Sequence, residues 1–270
     1  MRRRALWALV ASAAVAAAGI AVTASPVAAA TSGIWGNAQE IAGLSQLNVG
    51  LFAELNSVSC SSPGECGAGG TYTDAIGPQA LVVSEHDGAW STPQKVPGTA
   101  ALNAGGWAEV TSVSCASPGN CTAGGYYTDA GNSRQAFVVT ETGGTWGTAE
   151  EVPGTAALNA GPDAEVTSVS CASPGNCSAG GFYTDANNLQ PGFVADETSG
   201  TWGTAQQVSG AGAVAAVSCV TPGDCSAGGN SGSPGFVASE TGGIWGPAEA
   251  LPGTSVNSLS CVSPGNCAAG

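Results

Sequence analysis

Residues 108–121, Ala-Glu-Val-Thr-Ser-Val-Ser-Cys-Ala-Ser-Pro-Gly-Asn-Cys, return unchanged at residues 164–177. Their core, [Val/Leu]-Ser-Cys-x-[Ser/Thr]-Pro-Gly-x-Cys-x-Ala-Gly, occurs five times, with cysteines at Cys60/Cys66, Cys115/Cys121, Cys171/Cys177, Cys219/Cys225 and Cys261/Cys267. The spacing within each pair is constant and successive pairs lie 42 to 56 residues apart, so the motif marks one supersecondary unit per repeat. Pro118 presets φ and Gly119 tolerates positive φ, which reverses the chain and brings Cys115 opposite Cys121. A disulfide closing such a loop of about seven residues contributes roughly 2.4 kcal/mol of chain entropy.

Outward from that turn, four short β segments fit one unit, each bounded by Gly, Pro, Asn or Ser. In the second repeat they are residues 109–115, 121–128, 135–141 and 145–152, the last two joined at Gly143-Gly144. Gly, Pro and Ser interrupt every window long enough for a helical period. Four antiparallel segments per 40 to 55 residues predict an all-β chain, a β-propeller of four-stranded blades. The units run at about 55–98, 109–154, 165–210 and 213–253. Residues 33–43 match a fourth segment, and with 256–270 they are expected to make a fifth blade split between the ends.

The first 30 residues carry a basic start at Arg2, Arg3 and Arg4, an apolar run from Ala5 to Thr23 and a small-residue site at Ala28-Ala29-Ala30. They are expected to be a signal peptide, which makes the chain secreted, extracellular and without stable membrane insertion once processed. In that compartment ten cysteines at one repeated spacing read as five local disulfides. Thiolate zinc is disfavoured, with His86 the single histidine. Processing leaves Lys95 and Arg134 against 19 acidic residues, a formal charge of −17. A surface of that sign repels phosphate, which excludes nucleic acid as a partner.

The string Val139-Thr140-Glu141-Thr142-Gly143-Gly144-Thr145-Trp146, with similar strings ending at Trp90, Trp202 and Trp245, resembles the Asp-box, or BNR, motif of sialidase-like propellers. Glu141, Gly143 and Trp146 hold the acidic, glycine and aromatic positions; Glu or His replaces the family's aspartate and its leading serine is mostly absent. The resemblance implies a propeller in which the box is structural. A sialidase would also bring three arginines, a tyrosine nucleophile and its acidic partner, and only Arg134 remains after processing.

A hydrolase of neutral glycans needs two carboxylates. Asp74, Asp129 and Asp185, and likewise Glu85, Glu141, Glu197 and Glu240, recur at equivalent positions, a periodicity that fits turn capping better than a single catalytic pair. His86 has threonine counterparts at 142, 198 and 241, and no phosphate-binding or dinucleotide fingerprint is present. Binding through aromatic side chains is the function that these residues support, at Trp107 and at Tyr72, Tyr127 and Tyr183. Trp107 is singled out because the next repeat has Asp163 there. The chain is therefore expected to be a monomeric, non-catalytic binding or scaffold module for a glycan or an extracellular protein. Its alternative is a glycoside hydrolase with a carboxylate pair at the propeller mouth. No cofactor is expected, with calcium at the Tyr-Thr-Asp-Ala strings as a side hypothesis.

Overall fold

The computed structural model describes residues 38, 40–230, 234–252 and 255–270. The expected signal peptide and most of residues 33–43, the proposed N-terminal share of a fifth blade, lie outside the described residues. Contacts divide the chain at Gln39/Glu40, and the unit from Glu40 to Gly270 holds all the elements below.

That unit is a series of antiparallel sheets. The first repeat contains β1 (Ala53–Ser62), β2 (Glu65–Thr73), β3 (Pro78–His86), β4 (Ala89–Trp90) and β5 (Gln94–Lys95). The second has β6 (Ala108–Ser117), β7 (Asn120–Thr128), β8 (Arg134–Thr142), β9 (Thr145–Trp146) and β10 (Glu150–Glu151). In the third are β11 (Ala164–Ser173), β12 (Asn176–Tyr183), β13 (Gly192–Thr198), β14 (Thr201–Trp202) and β15 (Gln206–Gln207). The fourth has β16 (Ala213–Thr221), β17 (Asp224–Asn230), β18 (Gly235–Thr241), β19 (Ile244–Trp245) and β20 (Glu249–Leu251); a last hairpin joins β21 (Leu259–Ser263) to β22 (Asn266–Ala269). Among the described residues no helix is long and apolar enough to cross a membrane.

All five expected disulfides form: Cys60–Cys66, Cys115–Cys121, Cys171–Cys177, Cys219–Cys225 and Cys261–Cys267. Each joins directly opposed residues of the first hairpin of its repeat, and together they fit an oxidising environment. Their uniform spacing conceals a difference in burial. Cys121, Cys177 and Cys225 are buried, whereas Cys66 is half-buried and Cys267 is exposed. The reason is position in the array. Cys121 packs against Gly67 of the preceding repeat, where a Cβ would lie 2.9 Å from its Sγ; among the described residues no sheet precedes Cys66 and none follows Cys267.

The first three segments follow the expectation closely, and the fourth does not. Residues 145–152 form two short pieces, both paired with β8. Gly147 N–H still bonds Thr140 O, but Ala149 N–H turns to Pro97 O of the preceding repeat at 2.8 Å. Ala205 and Ala248 do the same towards Pro153 and Ser209. The outer strand is interrupted because its middle donor ties one repeat to the one before. Among the described residues three one-turn helices also sit in the connections, α1 (Leu44–Leu47), α2 (Thr99–Leu102) and α3 (Thr155–Leu158), too short to leave a periodic signal.

The core lies between sheets. Val82 and Val96 of the first repeat pack with Val110, Val113, Phe137 and Trp146 of the second, and the pattern repeats along the array. Gly124 shows why a small residue is needed at its position: a Cβ there would lie 2.5 Å from Cγ1 of Val166. Gly69, Gly180 and Gly228 make the same hole for the aliphatic pair of the following repeat. Serines add a polar register. The backbone N–H groups of Val113 and Cys115 donate to Ser57 and Ser59 Oγ at 2.9 and 3.0 Å, and Val169 and Cys171 do so to Ser112 and Ser114.

Candidate functional site

At the end of the first three sheets away from the disulfide turn, the residue before the first strand is held by a backbone bond. Thr73 N–H donates to Phe52 O, Thr128 N–H to Trp107 O and Thr184 N–H to Asp163 O. Phe52 and Trp107 are therefore equivalent, and both are exposed, at 53% and 47%. Exposed Ile76 approaches Gly106, beside Trp107. The sequence reading isolated Trp107 but missed Phe52, whose local sequence hides its register; the shared Asn-x-Gly at 48–50 and 103–105 would have aligned them.

A polar cluster adjoins Trp107. Tyr126 Oη donates to Glu109 Oε2 at 2.8 Å, and the Arg134 guanidinium carbon lies 4.4 Å from the Tyr126 ring centroid. Arg134 also approaches Asp163 Oδ1 at 3.9 Å and Glu165 Oε2 at 3.8 Å. Burial pushes the Glu165 carboxyl up to about 7, against the favourable charge of Arg134. Tyr126 is raised well above the ordinary phenol value by burial and then by its bond to Glu109. A tyrosine and an acid are thus in contact with one arginine, not with the three that a sialidase carboxylate clamp would bring. The phenol is also held in its neutral form.

At the disulfide end, Ser84 Oγ receives Trp146 Nε1–H at 3.0 Å and donates to buried Glu141 Oε1 at 2.6 Å. Thr140 Oγ1 likewise donates to buried Glu197 Oε1 at 3.0 Å. Between the third and fourth repeats the hydroxyl is replaced by Asp196, which receives Ser178 Oγ at 2.5 Å and Trp245 Nε1 at 2.9 Å. Asp196 and Glu240 line one cleft of about 370 Å³, and Glu240 is pushed up to about 7, first by burial and then by Asp196. The second carboxylate oxygens of Glu141, Glu197 and Glu240 are buried without a hydrogen-bond partner. Asp196 was missed because the periodic glutamate beside it drew the comparison; aligning position 196 with Ser84, Thr140 and Ser239 exposes it.

The other expected residues fall into three groups. Tyr72, Tyr127 and Tyr183 are buried at 3–4% exposure, Tyr127 and Tyr183 within clusters that join neighbouring repeats, and Tyr127 Oη donates to Glu151 at 2.7 Å. Asp74, Asp129 and Asp185 accept backbone N–H groups of their own turns, as from Ile76, Gly131 and Asn187. Those bonds hold Asp129 and Asp185 below the usual carboxylate range, with Gln135 contributing most at Asp129 and Leu189 at Asp185. The cysteines carry no chemistry of their own: among the described residues none is a free thiol, and even the accessible Cys66 and Cys267 are oxidised with Cys60 and Cys261. His86 Nδ1 meets Glu65 Oε2 at 2.9 Å in an exposed pair. Among the described residues no group of three or more His, Cys, Asp or Glu side chains is arranged to hold a metal ion.

No protein-family model matches the chain, and no curated protein matches it either. Among solved structures the chain is similar to Hadza microbial sialidase Hz136, with a TM-score of 0.52 at 13% identity over 78% of this chain. It is also matched, at a TM-score of 0.48 and 14% identity, by a protein of unknown function from Dyadobacter fermentans, over 77% of this chain and 71% of that one. The chain spans half the length of the sialidase. At 13% identity the sialidase likeness is one of fold alone, and it agrees with the antiparallel sheets described above.

Proposed function

We propose that this chain is an extracellular, non-catalytic binding module of β-propeller architecture, and that its ligand is a neutral glycan held at the Trp107 end of the sheets. The observation that carries this reading is the pairing of exposed Trp107 with Phe52 at the same position of adjacent repeats, next to the Glu109–Tyr126–Arg134 cluster. An aromatic face stacks on the apolar face of a sugar, and neighbouring carboxylate and guanidinium groups bond its hydroxyls. Four similar sheets, each packed on the next through its first strand, support the blade reading. A single arginine, Arg134, in that cluster favours a neutral ligand over an acidic one.

Trp107→Ala should leave the fold intact and weaken retention on a neutral-glycan array or in affinity electrophoresis about tenfold, a loss near 1.4 kcal/mol. Retention unchanged in that variant would sink the proposal. A second reading, hydrolysis of a neutral glycan, is favoured by one observation: Asp196 and Glu240 share a cleft, and burial raises both carboxyls, Glu240 to about 7. Turnover of a chromogenic glycoside panel, abolished by Glu240→Gln, would establish it in place of the first.

A further inference from the structure

Two clefts at the disulfide end, one between the second and third repeats and one between the third and fourth, differ in charge. The first, of about 240 Å³, is lined by one carboxylate, Glu141. The second, of about 370 Å³, is lined by Asp196, Glu197 and Glu240, and no Lys, Arg or His is among its walls. Glu197 is already served by the Thr140 hydroxyl of the repeat before, as Glu141 is by Ser84. Asp196 stands at the position of those hydroxyls, and an ionised carboxylate has no proton to give to Glu240.

Burial makes that arrangement unfavourable. Glu240 is 5% exposed, and its Oε2 has no hydrogen-bond partner among the described residues. A buried acceptor in that state carries a desolvation penalty that only a donor offsets. Arg134 cannot supply one, because it is engaged at the other end of the sheets with Tyr126, Asp163 and Glu165.

The chemistry of the missing partner follows from which oxygens are free. Asp196 Oδ1 already holds the Ser178 hydroxyl and Oδ2 holds Trp245 Nε1–H. Glu240 accepts the Cys225 backbone N–H and has Oε2 to spare. Neither carboxylate presents two empty oxygens side by side, which the planar fork of a guanidinium requires. A metal shell is not provided either, since among the described residues no three His, Cys, Asp or Glu side chains are arranged to hold one. An ammonium group suits the site: it is compact and positive, and its three N–H donors radiate towards separate acceptors. Ala172 and Pro222 offer apolar wall to the alkyl chain behind it. The volume lies near the lower end of the range for small-molecule sites, about 300 to 1,000 Å³.

We infer that the cleft between Asp196 and Glu240 binds a primary alkylammonium group, carried by a small amine or by a lysine side chain. The site is at the opposite end of the sheets from Trp107, and the glycan reading does not depend on it.

Calorimetric titration of the chain with butylamine at about 150 mM NaCl, where exposed charges are screened, should show one site with a Kd of about 1 mM or tighter. Asp196→Ser restores the hydroxyl of the other contacts and Asp196→Asn keeps the size of the side chain. Each, checked for native circular dichroism, should weaken binding about tenfold or more. Capped lysine, whose only charge is its side-chain ammonium, separates the sources: tighter binding than butylamine assigns a lysine side chain, weaker binding a free amine. In the wild type the Trp245 indole N–H resonance should move on titration, which locates binding without any variant. No binding of either probe overturns the inference, as does a Trp245 resonance that stays still. Affinity unchanged in both variants, the result of condensation onto an acidic surface, also overturns it, and so does tighter binding of butylguanidinium or calcium than of butylamine. Glycan retention measured on the same samples reports separately on the function proposed above.

Discussion

The contact between the second and third repeats and that between the third and fourth share a backbone plan and differ in one functional group. In the former, Thr140 gives buried Glu197 a hydroxyl donor. In the latter, Asp196 takes the hydroxyl's place and sets a carboxylate towards Glu240, although Ser178 and Trp245 supply donors to Asp196 itself. Apolar complementarity thus fixes how the sheets stack, while the polar residues at the rim decide how each contact responds to pH.

Filling the glycine holes tests the shared half and should have the largest effect. Gly124→Val and Gly180→Val would each force a side chain into the valines of the next repeat and cost about 3 kcal/mol in urea unfolding; costs that differ between the two by more than about 1 kcal/mol would break the equivalence of the two contacts. Replacing both cysteines of the third or fourth repeat with serine should follow at about 2 kcal/mol, read as a lower Tm. Those losses should be alike, since Thr122 Oγ1 lies 3.3 Å from Cys177 Sγ in one contact and Ser178 Oγ lies 3.2 Å from Cys225 Sγ in the other.

The polar half should separate them. Thr140→Val removes the donor to Glu197 and leaves that buried carboxyl unpaired, a loss of about 1.5 kcal/mol. Asp196→Ser should act in the opposite sense, stabilising by about 1 kcal/mol above neutral pH. The sign follows from proton linkage. Glu240 has a folded value of about 7, above the 4.5 of a free glutamate, so the folded chain binds a proton that the unfolded chain releases in between. Stability from this group is full below the lower value and falls as pH rises through the higher one. Burial, the larger cause, persists in the serine variant, so the fall should shrink without vanishing. A Tm profile over that range that is unchanged by the substitution would remove Asp196 from the account.

The strand pairs around each Cys-x-x-x-x-x-Cys turn were legible in the sequence because they depend on local chemistry: Pro-Gly reversal, flanking alternation and opposed cysteines. The exposure of those cysteines was not, because Cys66 and Cys267 differ from Cys121 only in which sheets lie beside them. The broken outer strand was equally hidden, because Ala149 N–H finds its acceptor at Pro97, outside its own sheet. The tyrosines show the same limit. Tyr72, Tyr127 and Tyr183 have the composition of a binding surface, yet all three are buried, Tyr127 and Tyr183 within clusters that span neighbouring repeats. Trp107 was legible as unlike its counterpart Asp163, but its likeness to Phe52 needed the backbone register.

By itself the sequence determined the repeat, its hairpin disulfides, its all-β class and its strong acidity, since each of these follows from local turn geometry, residue type or summed charge. Only the tertiary structure decided which side of each strand meets which neighbour. That choice made Gly124 a hole and Asp196 the neighbour of Glu240, because packing between sheets joins residues about one repeat apart whose local sequences carry no mark of their contact.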